Sequence, residues 1–184
     1  RYADDAVFLF KKEEDAKQFL SDLTQRCKTF KLELNDSKTK LLHFSKTTHD
    51  HFNFLGFTFY WGRQGSRPTL KLKTQKERLL KSLREFDQWI KGSRNRGKLS
   101  ALWAKAKAKI RGHINYYGFG MNRLKLHYFY SQVTKSLFKW LNRRSQKRSY
   151  SWEGFRDRMN SFPLIHSWDN MKLKNLGWNP YADI

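Results

Sequence analysis

The chain has 184 residues, and its 39% hydrophobic and 16% aromatic content supplies a real core and excludes a disordered protein. Its formal net charge of +22 at pH 7 is far more than solubility requires, so we expect a polyanionic partner. No apolar run is long enough to span a membrane, and the single cysteine, Cys27, excludes an internal disulfide. We therefore expect a protein of a reducing compartment, the cytoplasm or alternatively an organelle, with no membrane partner.

The excess charge lies in the middle of the sequence. Residues 1–60 contain 10 basic and 9 acidic side chains, and residues 151–184 contain 4 of each. Residues 61–150 contain 24 basic and only 3 acidic side chains. An anionic membrane surface would also attract this block, and the interleaved tryptophans and tyrosines do not distinguish it from nucleic acid.

The first ten residues contain an adjacent pair of carboxylates, Asp4 and Asp5. The apolar run 6–10 follows them and is typical of a buried strand, so the pair would lie at the mouth of that strand. Oxygen ligands in this position suit Mg²⁺. Asp-Asp is also a common turn dipeptide, and taken alone it favours a turn over a metal site. Because the sequence lacks an initial methionine and opens on strand-like residues, we expect it to be a fragment.

Helix and strand patterns alternate over the first 73 residues. In chain order they predict a helix at 13–31, strands at 39–45 and 53–61, a turn at 62–65 and a partner strand at 69–73. Gly56 stands alone inside a β-prone run, which indicates a bulge or the close approach of another backbone. The pattern predicts a small sheet with one helix.

From Thr74 onward the periodicity is helical. Thr74 and Glu77 form a capping-box pattern at the start of a first helix. A second helix is predicted at 98–117 and a third at 122–141, with Asn122 as its cap. The fold class is therefore α+β, with a sheet-and-helix part at 1–73, a three-helix bundle at 74–150 and an extension at 151–184 that packs on the bundle.

Basic residues concentrate on the second and third helices and just after them. A solvated face of salt-bridged helices is the simpler explanation, but three acids cannot pair with 24 bases. A phosphate backbone would supply the missing charge. The predicted RNA-binding set is Lys105, Lys109, Arg111, Lys135, Lys139, Arg143 and Arg144.

Four short motifs in this order resemble the group II intron-encoded reverse transcriptase/maturase family. The box Tyr2-Ala3-Asp4-Asp5 resembles the Y-x-D-D box of reverse transcriptases. Residues 34–39 (LNDSKT), 54–57 (FLGF) and 110–118 (IRGHINYYG) match further motifs of the family at these intervals. The family more often has Trp where His113 stands. The resemblance covers essentially the whole chain.

The resemblance implies a role for several residues. Asp4 and Asp5 would be catalytic, metal-binding carboxylates of the palm, in a two-Mg²⁺ site that this chain supplies only in part. Lys38 would be a catalytic residue near the nucleotide triphosphate. The nucleotide- and primer-binding positions would be Tyr2, Leu55 and Gly56.

The resemblance also implies an activity and a division of the chain into domains. Residues 1–73 would be the C-terminal palm with the primer-grip hairpin, and residues 74–150 the thumb, or domain X. The reaction would be RNA-directed DNA synthesis on an RNA template from a DNA primer and dNTPs, combined with intron RNA binding and splicing. A further palm aspartate and the fingers are missing, so we expect this chain alone to be inactive. An RNA-binding splicing module without polymerase activity and a degenerate remnant are the alternatives.

Overall fold

The computed structural model of the protein describes residues 1–47, 50–144 and 150–165. It contains one small sheet of three strands and five α-helices, and the predicted α+β fold class is confirmed. The elements are α1 (Glu13–Thr29), β1 (His51–Phe54), β2 (Phe57–Gln64), β3 (Arg67–Thr74), α2 (Lys76–Ser93), α3 (Leu99–Tyr117), a 3₁₀ turn (Gly120–Asn122), α4 (Arg123–Leu141) and α5 (Trp152–Ser161).

The chain folds into two compact units. The first comprises Arg1–Leu55 and Tyr60–Leu70, and the second comprises Gly56–Phe59 and the chain from Lys71 onward. The domain boundaries expected at residues 73 and 150 stay a prediction. No helix in the described ranges combines the length and apolarity needed to cross a membrane.

In the first unit, helix α1 confirms the helix predicted at 13–31. Three acidic residues occupy its first turn and two basic residues its last, as the helix dipole favours. Only Ala16 of this helix is buried. The ring of Phe19 lies 4.6 Å from that of Phe8 and 5.2 Å from that of Phe10. Aromatic contacts therefore attach the N-terminal segment to α1.

Two predicted strands are wrong. Residues 6–10 and 39–45 have no strand conformation, and residues 6–10 are exposed instead of buried. A strand needs a hydrogen-bonded neighbour, and no described segment pairs with either run. Their β-prone composition is a local property, whereas strand pairing depends on what lies beside the segment.

The sheet has three strands in the order β1-β2-β3, joined by two tight turns. The run predicted as one strand at 53–61 is broken by a two-residue turn at Leu55 and Gly56, so Gly56 is in a turn and not in a bulge. The second turn lies at Gly65 and Ser66 instead of 62–65, because β2 continues to Gln64. The predicted partner strand is confirmed as β3.

In the second unit, helices α2, α3 and α4 pack against one another in all three pairs and confirm the predicted bundle. Their buried apolar residues recur at helical spacing and form one core. These residues are Leu79, Phe86, Ile90, Leu102, Trp103, Ala106, Ile110, Ile114, Tyr117, Leu126, Phe129, Val133, Leu137, Trp140 and Leu141. Leu80 of α2 is exposed.

Helix α5 brings Phe155 into the same core. The ring of Phe155 lies 5.4 Å from that of Phe138 and 6.0 Å from that of Trp103. The indole N–H of Trp103 donates to the carbonyl oxygen of Phe162 at 2.9 Å. Residues 166–184, which include most of the predicted extension, lie outside the described residues.

Both predicted helix caps in the second unit are wrong. Helix α2 begins at Lys76 after Gln75, without a side-chain cap, and Thr74 is the last residue of β3. Asn122 precedes α4, but its side chain does not cap that helix. Its Oδ1 accepts from the backbone N–H of Thr74 at 2.8 Å, and its Nδ2 donates to Thr74 Oγ1 at 2.7 Å and to the Tyr117 carbonyl at 3.0 Å. The two expected cap residues, Thr74 and Asn122, therefore hydrogen-bond to each other.

Candidate functional site

The carboxylate pair lies in a tight turn near the N-terminus. The N–H of Tyr2 donates to the carbonyl of Asp5 at 2.8 Å, and the N–H of Asp5 donates back to Tyr2 at 2.9 Å. Between them Ala3 has a positive φ of 49°. The turn interpretation of the Asp-Asp dipeptide is therefore confirmed. The side chains of Tyr2, Asp4 and Asp5 are all exposed, so both carboxylates are open to a ligand.

The chemistry of Asp4 and Asp5 suits Mg²⁺ in part. Mg²⁺ takes oxygen ligands and is often held by one or two carboxylates together with nucleotide phosphates and water. Among the described residues, no group of three or more Asp, Glu, His or Cys side chains is placed to hold a metal ion. The pair would therefore hold a metal only with oxygens from outside these residues.

Lys38 lies in a separate, exposed turn. Its N–H donates to the carbonyl of Asn35 at 3.0 Å and is 3.2 Å from Asn35 Oδ1. The hydroxyl of Ser37 donates to the same Oδ1 at 2.6 Å. Within the described ranges, no ion pair joins Lys38 to Asp4 or Asp5. The structure does not bring these three side chains together through a direct contact.

The Leu55–Gly56 turn has the backbone of a type I′ hairpin, with φ of 48° at Leu55 and 79° at Gly56. The carbonyl of Gly56 accepts from the N–H of Gln75 at 2.9 Å. A Cβ built on Gly56 would lie only 3.0 Å from Tyr117 Oη. The sequence predicted the close approach of another backbone at Gly56, and this is wrong in its partner, because the approaching group is the side chain of Tyr117.

Aromatic rings surround Tyr117 in the second unit. Its ring lies 5.2 Å from that of Phe57 and 4.7 Å from that of His113. His113 stacks on Phe129 at 3.6 Å, and its Nε2 has no hydrogen-bond partner among the described residues. Burial lowers the pKa of His113 to about 4 and raises the pKa of Tyr117. His113 is therefore a neutral, half-buried residue that stacks on Phe129.

The predicted RNA-binding set lies on α3, on α4 and just after α4. All seven side chains are exposed except that of Arg144, which is half-buried and donates to the carbonyl of Gly97 at 3.3 Å. Lys109 Nζ lies 5.2 Å from the ring centroid of Trp89. Lys139 and Arg143 lie over a different indole, that of Trp140.

Two further cations from α2 and the residue after it lie over Trp140, and sequence reasoning missed them. Lys91 Nζ is 5.7 Å and Arg94 Cζ is 5.1 Å from the ring centroid. The sequence offered only a weak signal, a run of basic residues near the end of α2. Pairing that run with α4 requires the bundle packing.

Comparison with known protein families gives one match. Residues 1–59 match the family model for reverse transcriptase (RNA-dependent DNA polymerase). The matched span contains Tyr2, Asp4, Asp5 and Lys38, as well as the turn at Leu55 and Gly56. This part of the chain is therefore similar to reverse transcriptases, which supports a function of that general kind. No curated protein and no solved structure matches the chain.

The contact between Gly56 and Tyr117 predicts a specific sensitivity to substitution. Gly56→Ala should lower the free energy of unfolding by about 2–3 kcal/mol, because a positive φ costs an L-residue about 1–2 kcal/mol and the methyl also meets Tyr117 Oη. Gly65→Ala is the matched control, since Gly65 has a φ of 61° with nothing within 4 Å of the added Cβ. Urea unfolding measures both, and Tyr117→Phe should recover part of the loss in Gly56→Ala. Equal losses at the two glycines would contradict the contact.

Burial of His113 predicts that stability depends on pH between about 4 and 6.5. The unfolded chain protonates this imidazole near its ordinary pKa of 6.5, whereas the folded chain does so near 4. The contribution of the neutral imidazole to the free energy of unfolding is therefore complete above pH 6.5. It decreases as the pH falls towards 4, by up to about 3 kcal/mol. His113→Phe should remove this part of the pH dependence in urea unfolding, and His51→Phe, at an exposed position, should not. Parallel curves for wild type and His113→Phe would show that His113 is not the group responsible.

Proposed function

We propose that the chain is the palm end and the thumb, or domain X, of a group II intron-type reverse transcriptase with a maturase role. The match of residues 1–59 to the reverse transcriptase family is the observation that supports it most directly. The motif at 110–118 and the basic helical bundle support the group II intron type. The division at residues 73 and 150 is part of this proposal.

In the proposed reaction, residues within the matched span 1–59 contribute groups for nucleotide addition. Asp4 and Asp5 would supply carboxylate oxygens to Mg²⁺, with phosphates of the nucleotide completing the ligand set. Mg²⁺ held by these residues would neutralise phosphate charge and favour attack by the primer 3′ hydroxyl. Lys38 would give a proton to the leaving pyrophosphate, and Tyr2 would pack near the nucleotide or the primer end. Backbone groups of the turn at Leu55 and Gly56 would hold the primer terminus.

The second unit would hold RNA through phosphate contacts. The predicted RNA-binding set is exposed apart from the half-buried Arg144, and residues 61–150 leave most of their basic charge without an acidic counterpart. Surface charges of one sign attract a polyanion and make its binding depend on salt. Binding of this kind is independent of sequence, so recognition of a particular intron would need further contacts.

One observation favours the alternative of an RNA-binding splicing module without polymerase activity. Within the described residues, the two carboxylates have no third metal ligand beside them. RNA binding by the bundle does not require that site. The two functions are separable by experiment because their proposed residues do not overlap.

The incomplete metal site predicts that the 184-residue chain does not extend a DNA primer on an RNA template with Mg²⁺ and dNTPs. The same chain should still bind a Mg²⁺–dNTP complex weakly, and Asp4→Asn with Asp5→Asn should weaken that binding about tenfold, because carboxylates are the protein's ligands to the ion. Titration calorimetry measures the affinity for the Mg²⁺–dNTP complex. The control is the double variant Glu33→Gln with Asp36→Asn, which changes two exposed acids of the same unit. Primer extension by this chain would contradict the predicted inactivity. Equal binding in both double variants would contradict the assignment of Asp4 and Asp5 as metal ligands.

The bundle predicts salt-dependent RNA binding. With about six phosphate contacts, the logarithm of affinity for single-stranded RNA should fall against the logarithm of salt concentration with a slope near −4. Changing Lys105, Lys109, Lys135 and Lys139 to Glu should abolish most of the binding. Changing Lys11, Lys12, Lys28 and Lys31 to Glu alters the net charge equally on the first unit and should have a much smaller effect. Fluorescence anisotropy measures both, and a flat salt dependence would rule out the phosphate contacts.

A further inference from the structure

Four cations surround one indole ring at the end of the helical bundle. Lys139 Nζ and Arg143 Cζ lie 4.8 and 5.3 Å from the ring centroid of Trp140. Lys91 Nζ and Arg94 Cζ lie 5.7 and 5.1 Å from it. Helix α2 and the residue after it supply two of the cations, and α4 and the chain just after it supply the other two. Side-chain direction in helices explains the grouping, because residues three and four apart share a face.

Asp87 holds the indole ring of Trp140 in place through a hydrogen bond. The indole N–H of Trp140 donates to Asp87 Oδ1 at 2.8 Å, and the hydroxyl of Ser136 donates to the same oxygen at 2.6 Å. Burial raises the pKa of Asp87, but the hydrogen bonds from Ser136 and Trp140 and the nearby lysine charges outweigh it and lower that pKa. Asp87 is therefore an ionised carboxylate. We call Asp87, Trp140 and the four cations the Trp140 cluster.

The Trp140 cluster keeps a surplus of positive charge. Within the described part of the chain, none of its four cations forms an ion pair. Asp87, which accepts hydrogen bonds from Trp140 and Ser136, is the only carboxylate among the residues of the cluster. The nearby C-terminal ends of α2 and α4 each carry about half a negative charge from the helix dipole. After Asp87 and both dipoles are counted, roughly two positive charges stay uncompensated.

The ring itself is not available to a base. Trp140 is only 7% exposed, and cations lie within 6 Å of its ring. A nucleobase needs an open aromatic face for stacking. Phosphate oxygens, in contrast, can be bound by lysine and arginine side chains that are held close together. Lys91, Lys139 and Arg143 are exposed, so their charged groups can reach such a ligand.

We propose that the Trp140 cluster binds adjacent phosphates of a single-stranded RNA backbone, with Lys91 and Arg94 as phosphate ligands beside Lys139 and Arg143. This rests on the proposed RNA binding by the bundle and locates one contact region within it. The contact reads no sequence, because the buried indole organises the cations and does not stack on a base. Asp87 limits the charge of the cluster while it holds Trp140.

A matched pair of double variants on one helix tests the proposal. Lys91→Ala with Arg94→Ala removes two cations of the cluster, and Lys81→Ala with Arg84→Ala removes two exposed cations about 15 Å away along α2. The test measures anisotropy of a labelled single-stranded RNA at several salt concentrations. The first variant should bind roughly 25-fold more weakly at about 0.1 M salt, with a slope shallower by about 1.4, because each lost phosphate contact reduces the slope by about 0.7. The second should bind nearly as wild type does.

Two single variants guard against a folding artefact. Lys91→Ala removes a charge whose side chain makes no hydrogen bond within the described residues, and it should weaken binding roughly fivefold. Asp87→Asn keeps an oxygen that can accept from Trp140 and removes the negative charge, so it should tighten binding about two- to threefold. Thermal melting confirms that each variant is folded. Unchanged affinity in both folded variants overturns the proposal.

The outcomes separate this proposal from the wider one. If wild type binds RNA with a steep salt slope and the two double variants bind equally, the Trp140 cluster is not a contact and RNA binding by the bundle stands. If wild type shows no salt-dependent binding, both proposals fail. A competition experiment separates RNA phosphates from free phosphate: inorganic phosphate should displace RNA no more than chloride does at equal ionic strength.

Selective displacement by inorganic phosphate, together with an unchanged salt slope in Lys91→Ala, would overturn the RNA contact and identify a site for free phosphate instead.

Discussion

The side chain of Asn122 is the connection on which the second unit depends. It is buried, and it joins the end of β3 to the end of α3 and the start of α4 through three hydrogen bonds. A buried amide that lost these partners would cost about 1–3 kcal/mol for each group left unsatisfied. Gln75, directly after Thr74, donates to the carbonyl of Gly56. The carbonyl of Gly56, a residue proposed to hold the primer terminus, is thus linked to the same network as the bundle.

Electrostatics on the surface of the bundle follow a different rule from those in its core. The core is closed by apolar packing, and the half-buried His113 beside Tyr117 stays neutral. Outside it, tryptophans act as supports for cations, as Trp89 does for Lys109. A cation over an indole gains roughly 0.5–1 kcal/mol at an exposed site, which orients it without neutralising it. The charge stays available to a ligand.

Local sequence patterns predict the helices well and the tertiary contacts poorly. Helical periodicity placed α1, α3 and α4 correctly, because the spacing of apolar residues is a local property of the sequence. Residues 6–10 and 39–45 have the composition of strands but no partner among the described residues, and pairing is not a local property. Thr74 and Asn122 are residue types that often cap helices, but here they hydrogen-bond to each other instead. For the site, the turn at Asp4 was predictable, whereas the side chain that approaches Gly56 and the Trp140 cluster both depend on tertiary packing.

The two-residue turn between β1 and β2 also fixes the register of the hairpin. Side chains in a strand alternate between faces, so a shift by one residue exchanges the two faces. Phe57 follows the turn directly and is 7% exposed, with its ring near those of Tyr117 and Phe119. An insertion of one residue after Gly56 would turn Phe57 away from this core. The length of this turn is therefore as constrained as its composition, and tolerated insertions are expected elsewhere in the chain.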